Sequence, residues 1–300
     1  MVSIKTETRP NYLKKGDELI LVASSSLIKK QECIINGLEV FKEWGLVCRP
    51  YHFIGRGWGY LAGNDEVRHK ELYLQEPANL IAFARGGWGA ARLLEREQPW
   101  KAGWLLGYSD VSSILLSRLA AGFDGGVHGP LVSTLGEEPE WSKERLKAIL
   151  FGSSIPPLHG ESWNHGVATG PLVITNLTVG SHLLGSRHIP NLQGAILILE
   201  DTGETPYRVD RMLTQWRLAG LFQQIAGLGF GSFKNCSDTS EVNKEETFQI
   251  KEVLKERSTD LNIPIIGELP VGHCSGNAAL PMGRRAQLDG NKGNLIILDS

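Results

Sequence analysis

Four short apolar runs, at residues 18–23, 46–50, 80–84 and 104–106, alternate with helix-like stretches through the first 120 residues. That alternation admits few folds. The stretch carrying Ile34, Leu38 and Phe41 on one face stops at Gly45, a second helix is predicted over 66–75, and a third starts at Ala90. Strands separated by helical crossovers run parallel. Their continuous apolar character, without polar alternation, implies a sheet covered on both faces.

The pattern changes in the second half. Residues 151–170 shift to Gly, Pro, Ser, His and Trp and read as a linker or crossover rather than an element. Strands follow at 195–200, 225–230 and 265–269, with helices predicted over 207–218 and 245–256. Arg285 to Leu288 and Asn294 to Leu298 flank a turn-rich 289–293 and predict a hairpin. Residues 231–246 read as a polar surface insertion. The expected class is α/β. An N-terminal parallel-sheet domain with helices on both faces (1–150) would be joined through 151–170 to a smaller mixed α/β, β-richer C-terminal domain (171–300).

Composition removes several classes of function. A formal net charge of −2, with no basic run interleaved with aromatics, gives no electrostatic case for nucleic acid or an anionic membrane. Cys33, Cys48, Cys236 and Cys274 show no metal-like spacing, so a reduced cytoplasmic protein is expected. The first ten residues lack a signal-peptide apolar stretch. No segment approaches the roughly 18 consecutive apolar residues of a membrane helix.

The chemistry concentrates at element ends. The run Trp104-Leu105-Leu106 stops at Gly107-Tyr108-Ser109-Asp110, and a helix with Val111, Ile114, Leu115 and Leu119 on one face follows. A serine at such a turn lies at the carboxyl edge of the sheet, beside backbone N–H groups able to hold an oxyanion. Ser109 or Asp110 is equally suited to be a plain helix N-cap. Glu200 closes the strand at 195–199, with Glu204 as a rival, and His273 lies in a loop after 265–269, with His128 as a rival. A hydroxyl needs an imidazole to take its proton, and the imidazole needs a carboxylate to fix its tautomer. The turn lacks the second glycine of Gly-x-Ser-x-Gly, so the α/β-hydrolase fold is not assigned. Cys274 adjoins His273, but a Cys–His pair needs spatial rather than sequence adjacency.

Collinear blocks along nearly the whole chain resemble the LD-carboxypeptidase family of serine peptidases, which includes the microcin-immunity peptidases. They are Lys15-Gly16-Asp17; Gly59-Tyr60-Leu61-Ala62-Gly63-Asn64-Asp65 with Arg68; and Ala84-Arg85-Gly86-Gly87-Trp88-Gly89 with Arg92-Leu93-Leu94. Further on come Gly107-Tyr108-Ser109-Asp110, His128-Gly129-Pro130, Leu199-Glu200-Asp201 with Asp210-Arg211, and Gly272-His273 with Leu280-Pro281 and Gly283. The resemblance implies Ser109 as nucleophile, Glu200 as orienting acid, His273 as general base, and an oxyanion hole from the N–H groups of Gly87 and Asp110. It implies release of terminal D-alanine from a cytoplasmic murein tetrapeptide during cell-wall recycling. No metal or organic cofactor is needed for this, and a homodimer is expected by analogy.

Two further roles stay open. Arg85 is a candidate for the substrate's carboxylate or for a structural ion pair, and His128 for lining the site or holding its loop. Trp58 and Trp88 would pave a peptide groove or simply cover loops. The glycine strings around them do not fit a dinucleotide fingerprint. The alternatives are a microcin-immunity-type peptidase acting on peptidyl-nucleotide amides and a noncatalytic muropeptide binder.

Overall fold

The computed structural model describes residues 8–73, 78–237 and 247–298. The first half supplies β1 (Glu18–Val22), α1 (Glu32–Glu43), β2 (Val47–Cys48), α2 (Asp65–Tyr73), β3 (Leu80–Phe83), β4 (Trp104–Gly107), α3 (Ser112–Ala120), β5 (Gly126–His128), α4 (Val132–Leu135) and α5 (Glu140–Phe151). The second half supplies β6 (Leu158–His159), β7 (Glu161–Asn164), β8 (Val167–Asn176), α6 (Leu177–His182), β9 (Ile196–Thr202), α7 (Pro206–Leu218), β10 (Gly227–Lys234), α8 (Ile250–Glu256) and β11 (Ile265–Gly267). β12 (Leu280–Pro281), β13 (Arg285–Asp289) and β14 (Asn294–Ile297) close the chain.

The first sheet has the order β12-β5-β4-β3-β1-β2, and β1 to β5 are mutually parallel. Alternate residues of one strand enter different cores. Leu19 and Leu21 of β1 pack with α1, α4 and α5, while Ile20 and Val22 join the core that contains α3. Both faces of the sheet are therefore covered, which explains its unbroken apolar strands. Helix α1 ends as its glycine predicts. Gly45 N–H donates to Lys42 O (2.9 Å) and Leu46 N–H to Phe41 O (3.0 Å), closing the last turn.

The second sheet is mixed, in the order β6-β14-β13-β8-β9-β10-β11-β7, with β8 to β11 parallel. Its apolar strands β8 and β9 share the α3 core, so one continuous core joins the two sheets. The architecture is the expected one, a parallel α/β layer joined to a β-richer mixed layer.

Three expectations need correction. The segment 151–170 is not free of elements, because β6 and β7 form the two edges of the second sheet and β8 begins at Val167. The helix expected from Ala90 is a five-residue 3-10 turn, Ala91–Glu95, after which Arg96 is extended. Pro99 bars any helix from running through Gln98. Residues 231–234, read as part of a surface insertion, continue β10, while 238–246 of that insertion lie outside the described residues. So do the ends of the predicted helices at 74–75 and 245–246, and residues 1–7.

The chain also crosses back between layers. β12 pairs antiparallel with β5 of the first sheet, and Arg284 meets Asp124 at 3.4 Å, both buried. The carboxyl ends of the two parallel strand sets are brought to a common cleft, where Ser109 after β4 shares the lining with Asn176 of β8 and Asp201 of β9. α/β sheets build sites at such edges.

Candidate active site

Ser109 follows β4 with φ +63°, one of three non-glycine residues in the left-handed region among the described residues. That conformation costs about 1–2 kcal/mol for an L-residue and persists only where the surroundings hold it. The N-cap expectation does not describe this turn. The cap is Tyr108, extended and without a side-chain capping bond, and Ser109 opens a 3-10 turn, Ser109–Val111, that runs into α3. Freed from capping, the Ser109 hydroxyl lies 3.2 Å from His273 Nε2. The Asp110 carboxylate accepts from Ala90 N–H at 2.8 Å, which ties the serine turn to the glycine loop after β3.

His273 Nδ1 lies 2.7 Å from Glu200 Oε2, which also accepts from the His273 backbone N–H at 3.3 Å. A carboxylate only accepts, so the ring proton belongs on Nδ1 and donates to Glu200. Nε2 is then an acceptor for the Ser109 hydroxyl. Glu200 is fully buried, at a β9 position in register with Asn176 of β8. Its room comes from Gly272 (φ +97°), where a Cβ would stand 2.3 Å from Glu200 Oε2. Glu204 does not compete. It lies 3.5 Å from Arg208 and joins the cleft wall away from His273.

The His273 loop is held from the other layer. Glu138, just before α5, accepts from Gly276 N–H (2.9 Å) and Asn277 N–H (3.0 Å), and Ser142 Oγ donates to Asn277 O at 2.9 Å. Asn277 in turn accepts from Gly272 N–H at 2.8 Å. Gly276 and Asn277 of this loop thus fix the histidine against the serine. Burial pushes the Cys274 thiol up to about 11, and the neighbouring imidazole is engaged by Glu200 and Ser109, so no activated thiolate is built here.

Gly87 and Asp110 line the cleft beside Ser109, and their backbone N–H groups donate to no protein acceptor among the described residues. Gly87 (φ +111°) packs so closely on Ser26 that a Cβ would come within 2.4 Å of its hydroxyl. Ser26 Oγ also accepts from Trp88 N–H at 3.0 Å, which explains the serine turn after β1. The cleft encloses about 560 Å³, within the range of small-ligand sites. Trp88, Arg92, Asn176, Thr178, His182 and Glu204 also line it. Of these, sequence reasoning gave a site role only to Trp88 and considered Glu204 only as a rival to Glu200. Trp58 lies under Arg92 instead, 5.8 Å from ring centroid to Cζ.

Two expected substrate contacts are elsewhere. Arg85 is outside the cleft lining, and its Nη1 donates to Leu27 O at 2.9 Å, so it makes neither the expected carboxylate contact nor an ion pair among the described residues. His128 is fully buried behind Glu200, with Nε2 4.0 Å from Glu200 Oε1 and its ring edge-on to Tyr108. It cannot meet a substrate.

Burial pushes the His128 imidazole down to about 4, against the opposing pull of Glu200. The unfolded chain therefore takes up this proton first, below pH 6.5, and stability falls as pH drops towards 4, by up to about 3 kcal/mol. His128→Gln is expected to flatten that acid limb in urea midpoints measured between pH 7 and 4.5. An unchanged slope would assign the acid sensitivity to other groups.

Comparison with known proteins follows the same lines as the geometry. Models of the LD-carboxypeptidase N-terminal and C-terminal domains match residues 20–129 and 169–288. A relative from Synechocystis, named provisionally as a carboxypeptidase, is 40% identical over 304 residues, 98% of each chain. The murein tetrapeptide carboxypeptidase of Pseudomonas aeruginosa is 31% identical, covering 91% of this chain and 93% of its own. Among solved structures, the microcin C7 self-immunity protein matches with a TM-score of 0.83 at 19% identity, over 98% of this chain and 99% of that one. At that identity the likeness is one of fold.

Proposed function

The chain belongs to the LD-carboxypeptidase family, and from that premise we propose that it is a serine peptidase releasing terminal D-alanine from murein tetrapeptides. The observation that carries the reading is the unbroken chain from Ser109 Oγ to His273 Nε2 (3.2 Å) and from His273 Nδ1 to Glu200 (2.7 Å), opening on a cleft. The substrate is inferred from the name of the Pseudomonas relative.

The steps follow from the geometry. His273 Nε2 takes the hydroxyl proton as Ser109 Oγ attacks the carbonyl of the L,D-peptide bond. The N–H groups of Gly87 and Asp110 hold the oxyanion, their dipoles already oriented by the fold. Glu200 steadies the imidazolium, which then gives its proton to the departing amine of D-alanine. Water, activated by the same imidazole, attacks the acyl-enzyme and frees the murein tripeptide. Residues 1–150 would supply the nucleophile and the oxyanion donors, and residues 171–300 the acid and the base. We infer cytoplasmic cell-wall recycling as the setting and a homodimer as the assembly, both supported by the family resemblance.

A direct competition tests the substrate. Murein tetrapeptide and a peptidyl-nucleotide amide are offered together, with D-alanine and free nucleotide measured. D-alanine release with the nucleotide conjugate left intact is expected. Preferential cleavage of the conjugate would move the chain to the microcin-immunity type, and binding of muropeptide without any turnover would make it a noncatalytic binder.

A further inference from the structure

A carboxypeptidase must recognise the free carboxylate of the residue it removes, and Arg85, the sequence-based candidate, turns its Nη1 to the Leu27 carbonyl and is not among the residues lining the cleft with Ser109. The residues that line the cleft with Ser109 include one arginine and no lysine. That arginine is Arg92. We propose that Arg92 binds the terminal carboxylate of the scissile residue, an inference that rests on the carboxypeptidase reading above.

Arg92 is held in place. Its Nε and Nη2 donate to the Asp65 carboxylate at 2.6–3.1 Å, and its guanidinium lies over the Trp58 ring. This fixes one edge of the guanidinium and leaves Nη1 without a protein acceptor among the described residues. The side chain keeps 37% of its surface open, so that free edge is available to a ligand. A guanidinium fixed beforehand loses little conformational entropy when it binds a carboxylate.

Its partner carboxylate is not its own. Asp65 is shared with Arg68, whose fully buried guanidinium donates to it and to the carbonyls of Gly63, Ser24 and Gly89. One carboxylate thus faces two guanidinium groups, with Glu95 also acting on Arg92 and Asp110 on Arg68. Like charges confine where a substrate carboxylate can sit, because Glu95, Asp110, Asp201 and Glu204 line the same cleft and leave Arg92 as its cationic point.

Position relative to the reacting bond is set through the serine turn. Ala90, two residues before Arg92, donates its N–H to the carboxylate of Asp110, the residue after the nucleophile. The 3-10 turn bearing Arg92 is therefore anchored to the serine turn itself. Its five residues, too short for a regular helix, keep Arg92 beside the glycine loop that carries Gly87.

The test compares a murein tetrapeptide ending in D-alanine with the same peptide ending in D-alaninamide. The wild type is expected to prefer the free acid. Arg92→Met, which keeps the apolar stem over Trp58, should lower kcat/KM for the acid about 10- to 100-fold and leave the amide nearly unchanged. Arg92→Lys, which keeps the charge, should retain a preference for the acid. Equal losses on both peptides in Arg92→Met, or an acid preference that survives it, would overturn the proposal, because a structural role lowers both rates alike. If the wild type cleaves neither peptide, the carboxypeptidase reading itself fails and takes this inference with it.

Discussion

Ser109→Ala is expected to lower kcat for D-alanine release by about 10⁴-fold or more while the protein stays folded. The hydroxyl is the only group of residue 109 that the proposed chemistry uses, and its hydrogen-bond contact among the described residues is with His273 Nε2. Residual turnover would come from the Gly87 and Asp110 donors acting on attack by water. Because residue 109 is already left-handed, alanine meets the same backbone cost as serine, so thermal unfolding should move by no more than a few degrees. A rate within tenfold of wild type, from a protein with an unaltered melt, would place the nucleophile elsewhere.

Glu200→Gln should be nearly as damaging, with a fall of about 10³- to 10⁴-fold in kcat and little change in KM. The two side chains have the same shape, so packing against Gly231 and Gly272 is retained. Only the electronics change. A glutamine can present an N–H to His273, which favours the tautomer carrying its proton on Nε2, the nitrogen that must accept from Ser109. The amide also cannot stabilise the imidazolium formed during attack. His273→Ala should cost a similar factor, and the double variant little more than either single one, because the groups act as a unit. Additive losses would show that Glu200 works independently of the histidine.

Much of this was legible in the residues. Strands β1, β3 and β4 are buried on both faces, so they read as unbroken apolar runs and their ends were placed within a residue or two. The two edge strands β6 and β7 were not legible. Each pairs on one side alone, through contacts such as His159 with Asn294 and Ile265 with Asn164, and neither needs an apolar face. Helix α5 was hidden for a related reason. Its inward side includes Ser142 and Arg145, which bond the carbonyls of Asn277 and Ala279, so its apolar stripe is confined to Leu146, Ile149 and Leu150 near its end.

The site divides the same way. Ser109, Glu200 and His273 could be named because each lies in a family block, although β9 runs on past Glu200 to Thr202, and the fold brings them within hydrogen-bond reach. Nothing in the sequence could show that Ser109 is left-handed rather than capping, or that Asp110 turns back to Ala90. The roles of Arg85 and His128 stayed open in the sequence because motif position says which loop a residue is on and not which way it faces. Arg85 turns to a carbonyl, and His128 is sealed behind Glu200. Arg92 went unassigned because its value depends on Asp65, twenty-seven residues away, and on Trp58 beneath it.

Labelling with a serine-directed fluorophosphonate, followed by peptide mapping and parallel assay of D-alanine release from murein tetrapeptide, bears most directly on whether this cleft is a serine peptidase site. A single adduct on Ser109 is predicted, with release falling in step with the labelled fraction and no labelling of the Ser109→Ala variant. Full release from protein completely labelled at Ser109, or inactivation by an adduct elsewhere, would contradict it.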